Sequence, residues 1–167
     1  MICEICNFKN PKGTVSAVII KDGKLLLLKR NEEPFLDKWD LPGGYMDQDE
    51  TPDIAVIREV QEELGVKAKI DFINWFPGNA FWKSETFPIL NHAYLAEIKD
   101  EIIFNKKENS DYTWQNINDI KPEEIAFDSN QSIVKYLQKN LINFSELKEL
   151  INQLDSSASI KEINFYK

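Results

Sequence analysis

The sequence predicts an α/β domain, a mixed sheet with helices packed on it. Three observations carry this. Strand-like apolar runs and helical periodicities alternate along the chain, the pattern of a layered domain. At 167 residues it suits one domain of ordinary size, able to bury a core without disulfide staples. Apolar residues at 43% and charged residues at 29% make the composition globular rather than disordered.

Residues 14–20 and 24–30, joined by the turn signal Lys21-Asp22-Gly23, read as a β-hairpin. Residues 39–41 are a short extended piece, halted by Pro42-Gly43-Gly44. A helix is expected with Thr51 as N-cap and Pro52 at its first position, ending at Gly65. Residues 66–75 and 88–98 look like strands around an aromatic connection holding Phe76, Phe81, Trp82 and Phe87. Residues 111–117 are a further strand. Residues 129–140 and 145–154 read as helices, the second with the apolar stripe Leu147, Leu150, Ile151 and Leu154. Residues 156–159 lead into a short tail. The organisation is a single domain over 1–167: an extension at 1–11, a core at 12–140, and a helix and tail at 141–167.

Charge and composition exclude several functions. A net charge of −8, from 20 basic and 28 acidic residues, argues against a general nucleic-acid-binding surface. No uninterrupted apolar run exceeds four residues, so no membrane-spanning helix is expected. The first residues lack the apolar stretch of a secretory signal. The expectation is a soluble cytoplasmic chain whose partner is a small molecule. Cys3 and Cys6 cannot build a disulfide framework, and His92, the lone histidine, rules out a multi-histidine metal site. His92 falls in an alternating stretch and reads as packed or half-exposed.

The negative charge is concentrated. Residues 44–66 hold seven acids and one base, Arg58. Such a cluster repels itself unless something cationic compensates. At about 100° per residue, Ile54, Ile57, Val60 and Leu64 gather on one side of the helix and Glu59, Glu62 and Glu63 on the other. The glutamates stand at i, i+3 and i, i+4 spacing, where like charges destabilise a bare helix. A solvated face is the bland explanation. A carboxylate cluster also suits Mg²⁺ or Mn²⁺, hard cations that take oxygen ligands and keep waters for substrate phosphates to displace. An EF-hand starting at Asp47 fails, because Thr51, Pro52 and Arg58 occupy its ligand and glycine positions.

Gly44, five residues, Glu50, seven residues, then Arg58-Glu59-Val60-Gln61-Glu62-Glu63-Leu64-Gly65-Val66 reproduce the Nudix box in full. Its seven fixed identities would coincide on the order of once in 10⁸ windows at average residue usage, so the match is specific. On these residues the chain resembles the Nudix hydrolase family. Residues 24–30 followed by Trp39-x-Leu-Pro-Gly-Gly look like the usual approach to the box. Trp114 through Asp119-Ile120, then Glu124-Ile125-Ala126-Phe127, is similar to the family's ending.

The resemblance implies an α/β/α sandwich with a loop–helix–loop catalytic motif. It also implies divalent-metal-dependent hydrolysis of a nucleoside diphosphate linked to another moiety, such as NADH or ADP-ribose. Mapped by position, Glu59, Glu62 and Glu63 hold Mg²⁺ or Mn²⁺ with help from the Gly43 carbonyl, and Arg58 pairs with Glu50 as a structural brace. The family's acids six and three residues ahead of the tryptophan correspond to Glu108 and Asp111, ahead of Trp114. Either can serve as base or further ligand, with Glu59 and Glu62 the catalytic candidates inside the box. Arg30 can neutralise a phosphate, and Trp75, Phe76, Phe81 and Trp82 can stack on a base. Two other functions stay open: a MutT-like (d)NTP pyrophosphohydrolase releasing NMP and pyrophosphate, and a Nudix fold that only binds a nucleotide as a regulator. Cys3-x-x-Cys6 resembles half of a small zinc ribbon seen before some NADH-cleaving relatives, yet a structural zinc needs four ligands, so a reduced pair is expected. The C-terminal amphipathic helix leaves a homodimer possible, though packing on its own domain is commoner.

Overall fold

The computed structural model describes residues 10–82, 85–107 and 109–140, without the side chain of Trp82. Cys3, Cys6, Glu108, the helix expected over 145–154 and the segment after it lie outside the described residues.

Among the described residues, eight strands and two α-helices follow one another: β1 (Lys12–Val18), β2 (Ile20–Lys21), β3 (Lys24–Arg30), β4 (Trp39–Asp40), β5 (Gly43–Tyr45), α1 (Pro52–Leu64), β6 (Ala68–Trp82), β7 (Glu85–Ile98) and β8 (Asn109–Asn116), then a helix α2 through residues 128–140. One sheet is mixed, in the order β5-β1-β7-β6, with β1 parallel to β7 and antiparallel to β5. The second is built on β3, which pairs antiparallel with β8 along its length and with β2 and β4. The four leucines of β3 show why two helical layers are needed. Leu26 and Leu28 join the cluster containing Ala55, Val56, Val60 and Leu64 of α1. Leu25 and Leu27 join the cluster containing Ile133, Val134 and Leu137 of α2. Alternation in a fully buried strand thus feeds two cores, one on each face. The architecture is an α/β/α sandwich. No helix among the described residues is long and apolar enough to cross a membrane.

Three local expectations are corrected. The run 14–20 does not form one strand of a hairpin with 24–30. The chain changes sheets at Ile19: β1 pairs with β5 and β7, and only β2 completes a short hairpin with β3. An apolar run buried on both faces fits either pairing, and the winning partner, β7, lies far along the chain. The aromatic connection is not a loop either. Residues 76–82 continue β6, paired with β7 out to Trp82 opposite Glu85, after a bulge between Phe72 and Asn74. Aromatic side chains are good strand formers, and here the pairing persists across Pro77 and Gly78.

The third correction concerns α1. Thr51 takes the N-cap position with extended backbone, but its side chain makes no capping hydrogen bond; Pro52 opens the helix and Gly65 closes it at φ +65°. The buried face is Ala55, Val56, Glu59, Val60 and Leu64. Ile54 and Ile57 are 53% and 42% exposed. The helix turns Glu59 inward because β5 beneath it is glycine, and a Cβ on Gly44 would stand 2.5 Å from the Glu59 Oε1. Hydrophobicity alone would have turned the isoleucines in.

This orientation separates two substitutions on one helix. Leu64→Ala should cost about 2–5 kcal/mol through lost burial and a cavity. Ile57→Gln should change stability by less than about 0.5 kcal/mol. Similar losses for the two in denaturant titrations would restore the face expected from the sequence.

Candidate active site

The site forms where α1 crosses the glycine strand β5, with the start of β8 beside it. Arg58 supplies its internal cation. Its Nε and Nη2 bind the Glu50 carboxylate side by side, at 2.7 and 2.8 Å. Nη2 also donates to the Tyr45 carbonyl at 3.0 Å. Nη1 donates to Glu59 Oε1 at 2.8 Å and Glu62 Oε2 at 3.3 Å. The Asp47 N–H adds a donor to Glu50. Hydrogen bonding from Arg58, then from Asp47, holds the Glu50 carboxyl down at about 2, despite a smaller opposing effect of burial. Arg58 therefore ties the loop before α1 to the helix.

Glu63 faces the opposite way from Arg58. Its Oε2 accepts the Gly43 N–H at 2.9 Å. Its Oε1 accepts the Asn109 side-chain amide at 2.8 Å. At Gly43, φ is +146° and a Cβ would collide with the Val15 carbonyl, so only glycine lets β5 lie this close to β1. Burial pushes the Glu63 carboxyl up to about 8; the Gly43 and Asn109 donors pull against it, while Glu59 and Asp40 push it further up.

Asp40, on β4, is a buried acid that the sequence reading passed over. Its Oδ1 accepts from the Asn130 amide at 2.6 Å and the Leu41 N–H at 3.0 Å. Burial raises it to about 6, opposed by Asn130, Arg30 and Leu41. Behind it, Ser16 and Asn91 both donate to Asn130 Oδ1, at 2.9 and 2.8 Å. Polar residues from β1, β4, β7 and α2 thus bond one another inside the sandwich, leaving Asn91 Oδ1 without a partner among the described residues.

Of the predicted substrate residues, Arg30 and Phe81 border one aromatic pair, Phe35 and Phe127. The Arg30 Nε donates to the Pro34 carbonyl at 3.0 Å, and its Nη1 stands 3.6 Å from Asp40. Trp75 is 58% exposed and lies against Phe72. Phe81 instead meets the edge of Phe35, which meets Phe127. Phe76 is buried against Tyr136. Asp111 is exposed, and its carboxylate accepts the N–H of Tyr112. His92 is half-buried with Nδ1 3.3 Å from the Thr14 carbonyl.

The donor chemistry fits a hard divalent cation, since Glu59, Glu62 and Glu63 offer carboxylate oxygens. Among the described residues, however, no three acidic, histidine or cysteine side chains are gathered as an ion would need them. Arg58 holds Glu59 and Glu62, so loading would require those carboxylates to turn from its Nη1.

A family model described as the NUDIX domain matches residues 10–136. This chain belongs to the Nudix family. Over 63 residues it is 41% identical to an ADP-ribose pyrophosphatase of Methanocaldococcus jannaschii, covering 38% of this chain and 37% of that one. Over 114 residues it is 27% identical to a MutT-like protein of Streptomyces ambofaciens, covering 68% of this chain and 66% of that one. The chain thus spans about a third and about two thirds of the length of these two relatives. Among solved structures, the NUDIX domain of Shewanella oneidensis NrtR complexed with ADP ribose is similar with a TM-score of 0.65 and 25% identity, covering 83% of this chain and 94% of that one.

Within the Nudix box, the loop–helix–loop has the expected elements, and Arg58 and Glu50 are paired. The unanticipated neighbours of the box are Asn109 and Asp40. Asn109 sits between the two acids singled out from the sequence, and Asp40 sits in the Trp39-x-Leu stretch, but neither residue type announces burial.

Two predictions follow from the charges. Arg58→Ala should lower Tm by several degrees as well as activity, because Glu50 keeps its place among acids without its cation; loss of activity at unchanged Tm would refute the bracing role. In chelator, the folded state holds a proton on Glu63 that an unfolded chain, titrating near 4.5, has released. This contribution to stability is full below about pH 4.5 and is lost as pH rises toward 8. Tm should therefore fall between about pH 5 and 8, and Glu63→Gln, which cannot ionise, should flatten the fall. The same slope in both proteins would contradict a buried neutral carboxyl.

Proposed function

We propose that this chain hydrolyses the pyrophosphate bond of a nucleoside diphosphate linked to another moiety, with Mg²⁺ or Mn²⁺ as cofactor. One observation carries the reading: a complete Nudix box in which the half-buried Glu63 is held by Gly43 and Asn109, with Glu59 turned inward over the glycine strand. Glu59, Glu62 and Glu63 would hold the cation. When bound, it would offset the charge of the phosphates, polarise a phosphoryl oxygen and make a bound water more acidic. The protein's own part is positioning. Arg58 anchors Glu50 to the helix, while Glu59 and Glu62 would turn from its Nη1 to take the cation. Glu59, Glu62, Glu108 and Asp111 are the groups proposed to accept the proton of the attacking water. Arg30 would steady a phosphate, and Trp75, Phe81 and Trp82 would supply stacking surface.

ADP-ribose or a similar compound is the proposed substrate, supported by the name of the archaeal relative and by the ligand of the NrtR domain. The MutT-like relative favours a second reading, cleavage of a (d)NTP to NMP and pyrophosphate. The chain would work on small nucleotides in the cytoplasm, apart from nucleic acid polymers and membranes, as a monomer or homodimer.

A panel of ADP-ribose, NADH and the dNTPs with Mg²⁺, resolved by product, tests the reading. AMP plus a second phosphorylated product supports it, and dNMP plus pyrophosphate selects the second reading. Tight nucleotide binding without turnover would replace both with a regulator. On the preferred substrate, Glu63→Gln should lower kcat by at least about 10²-fold with the fold intact. Near-normal turnover at saturating Mg²⁺ would remove Glu63 from the metal site.

A further inference from the structure

We propose that Asn109 is a positioning residue for Glu63: its side-chain amide fixes one carboxylate oxygen, so that Glu63 presents a defined face to a divalent cation. The proposal rests on the metal-site reading above. The backbone shows how a polar residue at the start of β8 comes to serve α1. Trp114 packs on the α1 core, and Tyr112 lies against Phe104, which packs on the same core. Regular alternation would continue this face to Ser110. The ladder slips there: Lys29 pairs with Asp111 but Arg30 pairs with Asn109, leaving Ser110 as the extra residue. The bulge hands the α1-facing position to Asn109, which is only 5% exposed, while Ser110 is exposed. Re-aiming one side chain is a common use of a bulge.

The preceding loop fixes the distance. The N–H groups of Ile103 and Asn105 close the carbonyls of Leu64 and Glu63, each at 2.9 Å. The Asn105 amide reaches the Glu62 carbonyl at 3.1 Å. Residues 103–105 are therefore fastened to the helix end, four residues ahead of Asn109. An amide also suits the task chemically. It orients the carboxylate without contributing a charge of its own, leaving Glu63 free to charge-balance a cation, where a lysine would compete.

The test uses the full chain. Mn²⁺ binding to the substrate-free protein is measured by electron paramagnetic resonance, beside Tm in chelator and steady-state kinetics. Asn109→Ala, and the near-isosteric Asn109→Leu, should weaken Mn²⁺ binding about 10- to 100-fold. At saturating metal they should lower kcat with KM for nucleotide little changed. Unchanged Mn²⁺ affinity in a folded variant, with only Tm reduced, would overturn the proposal in favour of plain packing. Should both variants fail to fold, the Asn109 side-chain amide resonances of the wild type are followed during Mg²⁺ titration. They should shift with the midpoint of binding, and resonances indifferent to Mg²⁺ would overturn the proposal. A wild type that hydrolyses no nucleotide, yet loses Mn²⁺ affinity in Asn109→Ala, would end the proposed activity while upholding the positioning role.

Discussion

Seven acids within 23 residues would push a loop and helix apart, and the contacts of one guanidinium answer that repulsion. Arg58 reaches Glu50 on the loop, Glu59 and Glu62 on the helix, and the Tyr45 carbonyl on β5. It is the only base within residues 44–66. Planar guanidinium geometry matters, because the fork grips both oxygens of Glu50 while a separate nitrogen serves the helix. A lysine would supply the charge but not three directions at once. With Glu50 secured, the loop can lie down over β5, and the inward turn of Glu59 becomes affordable next to Gly44.

Glycine completes the arrangement from below. Gly43 and Gly44 leave β5 with no side chains where α1 crosses it, so the acids fill space that a core would ordinarily give to methyl groups. Buried carboxyls resist ionising unless they are hydrogen-bonded or paired. Glu59 is paired with Arg58, while Glu63 has two neutral donors. Glu50, gripped by Arg58, is held well below the usual carboxylate range, whereas burial pushes Glu63 well above it against its two neutral donors.

Much of this was legible in the sequence where the signal is local. Pro52 and Gly65 mark the bounds of α1 because proline geometry and a left-handed glycine cap act within a turn, while Thr51 takes the N-cap position without a side-chain bond. The pairing of Arg58 with Glu50 followed from the family resemblance. The helix face did not follow, because a hydrophobicity wheel counts Ile54 and Ile57 but cannot know that the surface beneath is bare glycine. The sheet change at Ile19 was hidden for another reason: period-2 patterning names a buried face, not a partner strand. Asn109 was passed over between Glu108 and Asp111 because its importance comes from a bulge, and a one-residue slip in a ladder leaves no mark in composition. Asp40 and Asn130 meet across 90 residues of chain, beyond any local pattern.

The C-terminus of α1 ends not in water but in residues 103–105, whose backbone and side-chain donors close the carbonyls of Glu62, Glu63 and Leu64. A helix normally frays from its ends at little cost, one turn at a time. Here the last turn cannot open unless the segment leading to β8 lets go as well. The acids and the strand that meets them belong to one cooperative unit of local unfolding. Their amide protons should exchange on a common timescale, and residues 103–105 act as the helix's own terminus.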